Sequence, residues 1–215
     1  AHELRTPVTN LTTETQVALG KDRSVEEYRE ILYSNLEEFE RMSKMIGDML
    51  FLAQTDNDLR HLEPGAVDLA AEIRGLFDYF EAWAEDRGVH LALEGSAPSI
   101  QGDQLMLRRA LGNLLSNAIR HTPLGGTVIV KISADGDMTL VAVENPGSEI
   151  SPEHLPRLFD RFYRADPSRQ KTDEGAGLGL AIVKSVIEAH HGDVKVFSRN
   201  GVTRFHFTVP NIFRI

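Results

Sequence analysis

Asn113-Leu114-Leu115-Ser116-Asn117-Ala118-Ile119-Arg120-His121-Thr122 ends a helical pattern that Asp103 is placed to cap. Its two asparagines stand four residues apart, so on a helix their amides share one face, one turn apart. A side-chain amide oxygen suits a hard cation such as Mg2+, which takes oxygen ligands and keeps several waters beside phosphate oxygens. Arg120 and His121 continue toward the same face, where they can meet phosphate. Taken alone, the pair reads equally as polar residues on an exposed helix face.

Downstream lies Glu174-Gly175-Ala176-Gly177-Leu178-Gly179-Leu180. Its glycines let a backbone approach phosphates closely, and it feeds a helix whose first N–H groups face an anion. No strand directly precedes it and no Gly-Lys-Ser/Thr follows, which excludes a Rossmann fingerprint and a P-loop. Between the two segments, Val143-Glu144-Asn145-Pro146-Gly147-Ser148-Glu149-Ile150 stands at a strand end, where a polar side chain can reach a base edge. Leu158-Phe159-Asp160-Arg161-Phe162-Tyr163-Arg164 sets aromatics beside basic residues. The aromatics read as anchors for the polar loop 164–174, and Arg161 or Arg164 can swing onto a phosphate.

The surrounding pattern is mixed. Asp68 caps a helix running to about Arg87, Val89–Leu93 alternates as a strand, and Asp103 caps a second helix through His121. Val128–Ile132 and Leu140–Val143 read as strands, Pro152–Phe159 as a short helix, Gly175–His191 as a third long helix, and Val194–Ser198 and Thr203–Val209 as closing strands. Irregular alternation of helices and strands favours a layer of helices on one sheet.

Upstream, the polar stretch Thr55–Gly65 ends in Pro-Gly and reads as an interdomain linker. Before it, Ser24 and Glu27 have the spacing of a capping box. In the helix they open, Leu32, Leu36, Phe39, Ser43, Ile46, Leu50 and Ala53 recur at intervals of four and three, as in a bundle seam. Met42, Met45, Met49 and Leu52 widen that stripe. Residues 1–20 form a first helix, interrupted or kinked near Pro7, and carry His2 in Ala1-His2-Glu3-Leu4-Arg5-Thr6-Pro7. A hairpin of this kind cannot bury its own apolar surface, so it is expected to pair with a second copy into a four-helix bundle. The competing reading packs the stripe on the rest of its own chain.

The 215 residues give room for one large domain or two smaller ones. A net charge of -9 offers no general attraction to nucleic acid or to an anionic membrane, so a phosphate site has to be local. With no cysteine, disulfides, thiolate metal sites and cysteine nucleophiles are excluded. No apolar stretch approaches the roughly 20 residues that span a bilayer.

In order and spacing these segments resemble the catalytic core of sensor histidine kinases. The His box matches Ala1–Pro7, the N box Asn113–Thr122, the G1 box Asn145–Ile150, the F box Phe159–Phe162 and the G2 box Gly175–Gly179. The runs Asn145-Pro146-Gly147 and Leu155–Arg164 look most like the heavy-metal, copper/silver-type members. The resemblance implies an α+β chain: an antiparallel helical hairpin over 1–60, truncated at its start, a linker at 61–65, and an α/β sandwich of the GHKL (Bergerat) type over 66–215 that binds ATP.

It also implies roles for residues. His2 is the phosphoacceptor, Glu3 its hydrogen-bonded activator, and Thr6 the residue that orients water when the partner is dephosphorylated. Asn117 holds Mg2+, while Asn113, Arg120 and His121 lie along the phosphates. Asn145 and Gly147 meet the base. Arg161, Arg164, Gly175, Gly177, Leu178 and Gly179 close over the nucleotide, with Lys171 a further lid candidate. The implied partners are a second copy of the chain and a response regulator receiver domain, with no nucleic acid. The implied setting is the cytoplasmic portion of a bacterial inner-membrane protein, anchored through N-terminal segments that this chain lacks.

Three positions depart from the family pattern. Asn145 stands where most relatives have an aspartate that accepts from the adenine amino group, Glu149 replaces the second glycine of the G1 box, and Glu174 the first glycine of G2. At 113, related hydrolytic ATPases of the same fold carry a glutamate that activates water; an amide is a poor base. The rival readings are a dimeric scaffold that docks a regulator but binds ATP weakly, a hydrolytic ATPase, and a metal protein acting through His190 and His191.

Overall fold

The computed structural model describes residues 2–57, 62–165 and 176–212. Helix α1 (His2–Leu19) runs through Pro7 without interruption. The proline sits near the helix start, where its ring meets only the first turn and its missing N–H removes a single bond. Helix α2 (Val25–Asn57) begins at the capping box: Ser24 Oγ accepts from the Glu27 N–H at 3.1 Å and Glu27 Oε2 accepts from the Ser24 N–H at 2.8 Å.

The two sides of α2 have different fates. Leu32, Leu36, Phe39, Ile46 and Leu50 are exposed on the single chain, as are Ser43 and Ala53. Met45 and Leu52 are instead buried in the hydrophobic core of the second domain, with Met49 and Phe51 packed against it. The competing expectation, packing of the stripe on its own chain, therefore holds for Met45, Met49 and Leu52, while the seam is uncovered on the single chain.

In the second domain, a five-stranded sheet has the order β2-β4-β5-β7-β6. Its strands are β2 (His90–Ser96), β4 (Thr127–Asp135), β5 (Met138–Pro146), β6 (Asp193–Arg199) and β7 (Val202–Pro210). The β2–β4 pair is parallel and the other pairs are antiparallel. Two three-residue strands, β1 (Gly65–Val67) and β3 (Ile100–Gly102), form a separate antiparallel ribbon. Alternate residues of the long strands, among them Val128, Val130, Val141, Val143, Phe205 and Phe207, are buried under helices α3 (Leu69–Asp86), α4 (Gln104–His121) and α5 (Gly179–Ala189). The result is an α+β chain, a helical hairpin followed by an α/β sandwich.

Asp68 and Asp103 cap α3 and α4, accepting from the Ala71 and Met106 N–H groups at 3.0 Å each. Two helical expectations shorten. Around Pro152–Phe159 only a 3-10 turn forms, at Leu155–Arg157, where Pro156 has no N–H to extend a helix. Helix α5 starts at Gly179 and ends at Ala189, before His191 takes φ 57°.

Candidate functional site

Burial fixes how α4 presents its polar residues. Leu107, Leu111, Leu114, Leu115, Ala118 and Ile119 face the core, which leaves Asn113, Asn117 and Arg120 half-buried at its margin. Asn113 Nδ2 donates to the Arg109 carbonyl one turn back, at 3.0 Å. That bond fixes the amide and commits its oxygen to the other side, toward the start of α5. A Cβ on Gly179 would stand 3.0 Å from Asn113 Oδ1, so glycine lets the α5 N-terminus approach the amide. Those first α5 N–H groups supply the anion-favouring end of the helix dipole.

The end of β5 forms the floor. Asn145 is 3% exposed, and its Nδ2 donates to the Pro146 carbonyl at 3.0 Å, leaving Oδ1 as the acceptor. Gly147 donates to the Gly201 carbonyl at 2.9 Å, and a Cβ at 147 would come within 2.8 Å of the His121 carbonyl oxygen. Only glycine therefore lets this loop lie against the end of α4. The Ile150 N–H donates to Ser198 Oγ at 2.9 Å, and Ser198 shares a hydrogen bond with Thr203, which fastens the loop to β6 and β7. Beside Asn145, Glu144 is paired with Lys131 at 2.9 Å and with Arg204. Burial acts to raise the Glu144 carboxyl, but the Lys131 hydrogen bond and the Arg204 charge prevail and hold it below the usual carboxylate range.

The third wall joins the aromatic turn to the glycine run. Phe162 and Gly177 both have positive φ, 63° and 71°, and the Phe162 N–H donates to the Gly177 carbonyl at 2.9 Å. A side chain at 177 would meet Phe162 backbone at 2.9 Å. Tyr163 is held by His154 at 2.7 Å, with the Arg157 guanidinium 4.3 Å from its ring centroid. Phe159 packs edge-on against Phe205.

These walls enclose a cavity of about 540 Å³, within the size range of small-molecule and cofactor sites. Asn113, Asn117, Arg120, His121, Asn145, Gly147, Arg164, Gly177, Leu178 and Gly179 all line it. Arg161 does not; it borders a separate surface groove with Asp160, Lys184 and Glu188. Gly175, Lys171 and Glu174 lie outside the described residues, as do the side chains of His2 and Glu3. Their backbone opens α1, Leu4 packs against the shared core, and Thr6 is exposed.

Sequence reasoning missed one whole side of this cavity, since Arg41, Lys44, Met45 and Asp48 of α2 also line it. Asp48 bonds Arg109 at 2.6 Å, and the Arg109 guanidinium lies 4.0 Å from the Phe51 ring centroid. No local signal reveals this, because α2 and α4 are brought together only by the fold. His190, by contrast, is structural. Its Nδ1 shares a hydrogen bond with the Val186 carbonyl at 2.8 Å and its Nε2 accepts from the Asp103 N–H at 2.9 Å, so neither ring nitrogen is left to bind a metal.

Residues 102–212 match the profile of histidine kinase-, DNA gyrase B- and HSP90-like ATPases, and residues 1–58 that of the His Kinase A phospho-acceptor domain. Over 210 residues the chain is 57% identical to the sensor histidine kinase CusS of Escherichia coli strain K12, covering 98% of this chain and 44% of CusS. It thus spans under half the length of that relative. Its fold matches that of the Acinetobacter baumannii histidine kinase AdeS, with a TM-score of 0.83 at 24% identity over 98% of both chains. It also matches the histidine kinase ThkA solved in complex with the response regulator protein TrrA, with a TM-score of 0.80 at 21% identity over 98% of this chain and 59% of ThkA.

Proposed function

Because the chain belongs to the sensor histidine kinases, we propose that its cavity binds ATP and that the γ-phosphoryl group passes to His2 and then to an aspartate on a response regulator receiver domain. A neutral imidazole has one ring nitrogen with a free electron pair, which attacks the γ-phosphorus. The new N–P bond replaces the bond to the bridging oxygen, and ADP leaves with that electron pair. The carboxylate of Glu3 takes or steadies the proton on the other ring nitrogen. Thr6, one turn further on, would orient water when phosphate is cleared from the regulator.

The carrying observation is the convergence of Asn113, Asn117, Asn145, Gly147 and Gly179 on one cavity at the mouth of α5. Asn145 and Gly147 mark the base end, and the α4 amides with the α5 N-terminus mark the phosphate end. Asn117 would hold Mg2+, and an amide oxygen fits that ion; when bound, the ion neutralises phosphate charge. Arg120, His121 and Arg164 lie along the phosphates, with Gly177 and Leu178 against the nucleotide beside them. Asn113 supports transfer over hydrolysis: an amide tied to the Arg109 carbonyl offers water no base.

The uncovered α2 seam supports a homodimer in which two hairpins form a four-helix bundle. No described helix is long and apolar enough to cross a membrane; attachment of the whole protein to an inner membrane would come from other segments. Incubation with γ-labelled ATP and Mg2+ is expected to give acid-labile label on wild type and none on His2→Gln. Equal labelling of the two, or none on either, would overturn this reading.

A further inference from the structure

Helix α2 belongs to the phosphoacceptor segment, outside the residues that match the ATPase profile, yet it supplies one wall of the cavity. The Arg109–Asp48 pair at 2.6 Å ties α4 to α2 at that wall. From Arg109, Asn113 and Asn117 are one and two turns further along α4; from Asp48, Lys44 and Arg41 are one and two turns back along α2. All four line the same cavity. The α2 side of the cavity therefore places two basic side chains in the space that the two amides also line.

Charge sharpens the point. The chain as a whole carries -9, but the arginines and lysines lining the cavity are Arg41, Lys44, Arg120 and Arg164, against the acids Asp48 and Glu149. Asp48 is neutralised by Arg109, and Arg41 is itself paired with Glu38 at 2.9 Å. We infer that Lys44 is a nucleotide-binding residue directed at the polyphosphate, so that ATP is held jointly by the helical hairpin and the ATP-binding domain. This rests on the reading of the cavity as the nucleotide site. An exposed ammonium on a four-carbon stem suits the task, because it meets phosphate as a movable point charge. By linkage, a nucleotide bound to both walls also holds the domain against α2.

The test is calorimetric titration of the whole chain with a non-hydrolysable ATP analogue plus Mg2+, and separately with AMP. Lys44→Ala is expected to weaken the analogue about three- to tenfold, to leave AMP unchanged and to flatten the salt dependence, with Lys44→Arg keeping most of the affinity. Thermal melting without nucleotide is expected to be unaltered, since Lys44 is exposed. Unchanged analogue affinity in Lys44→Ala, or an equal loss for AMP, overturns the inference while leaving the nucleotide site standing. A wild-type chain that binds neither ligand overturns both.

Discussion

Asn113 Oδ1 and Gly179 face each other across the mouth of the cavity, so closely that a Cβ on residue 179 would lie 3.0 Å from that oxygen. Unstrained heavy-atom contacts are about 3.5 Å or longer, and Asn113 is not free to retreat while its Nδ2 is bonded to Arg109. Backbone conformation is not the obstacle, since Gly179 is the first residue of α5 and its φ is not positive. Alanine there improves helix propensity by up to about 1 kcal/mol. That gain opposes the strain of the contact, so Gly179→Ala is expected to melt near the wild-type temperature while binding an ATP analogue about tenfold more weakly. Calorimetry beside a thermal melt checks this; intact affinity would show that the close approach has no bearing on the nucleotide.

Asn145 offers an uncharged acceptor on the buried floor of the cavity. Its Nδ2 is occupied by the Pro146 carbonyl, so the exchange Asn145→Asp alters mainly the charge behind the remaining oxygen. Charge-assisted hydrogen bonds are roughly twice as strong as neutral ones, and the expected gain is about three- to tenfold in adenine nucleotide affinity, equal for AMP and the ATP analogue. The variant should label His2 at lower ATP concentrations. Affinity that stays level or falls would mean that the buried position, 3% exposed, penalises the anion more than adenine rewards it.

How much of this was legible in sequence depends on how local the determinant was. Asp68, Asp103 and the Ser24–Glu27 box act within four residues, and each marked its helix start correctly. The cavity residues on α4, β5 and α5 were found because their types carry the chemistry and their order resembles a family. The β1–β3 ribbon went unread, since three residues per strand cannot show an alternation and Val67 meets Ile100 only through the fold. That Arg161 and Arg164 border different grooves was hidden for a related reason: the turn at Phe162, with φ 63°, sends the residues on its two sides to different surfaces. The α2 wall was hidden because its methionines fit a bundle seam as well as they fit a foreign core.

The seam itself gives the next expectation. Phe39 is 58% exposed and Leu36 53%, and burying such side chains is worth about 1.5–3 kcal/mol each. Phe39→Glu is expected to convert a dimer into a monomer, read by light scattering on a sizing column, with secondary structure retained by circular dichroism. A dimer of undiminished affinity, or a monomeric wild type, would defeat the four-helix-bundle reading.

His190 links the end of α5 to the cap of α4, and it does so as a neutral ring. Desolvation pushes its pKa below the usual histidine value of 6.5, against the pull of the Val186 carbonyl and of Asp103. The unfolded chain binds a proton at this position below about pH 6.5 that the folded chain refuses, so stability is full above that pH and is lost as pH falls toward the depressed folded value. Each such group contributes a slope of at most about 1.4 kcal/mol per pH unit. His206 adds in the same direction, lowered first by burial and then by Lys195 and Arg204. Chemical denaturation between pH 5.5 and 7.5 is expected to show stability rising with pH. His190→Gln should be less stable throughout, by about 1–3 kcal/mol for the disrupted bonds, but with a shallower slope below pH 6.5. A variant whose slope equals that of the wild type would mean that the His190 ring takes up its proton in the folded chain as readily as in the unfolded one.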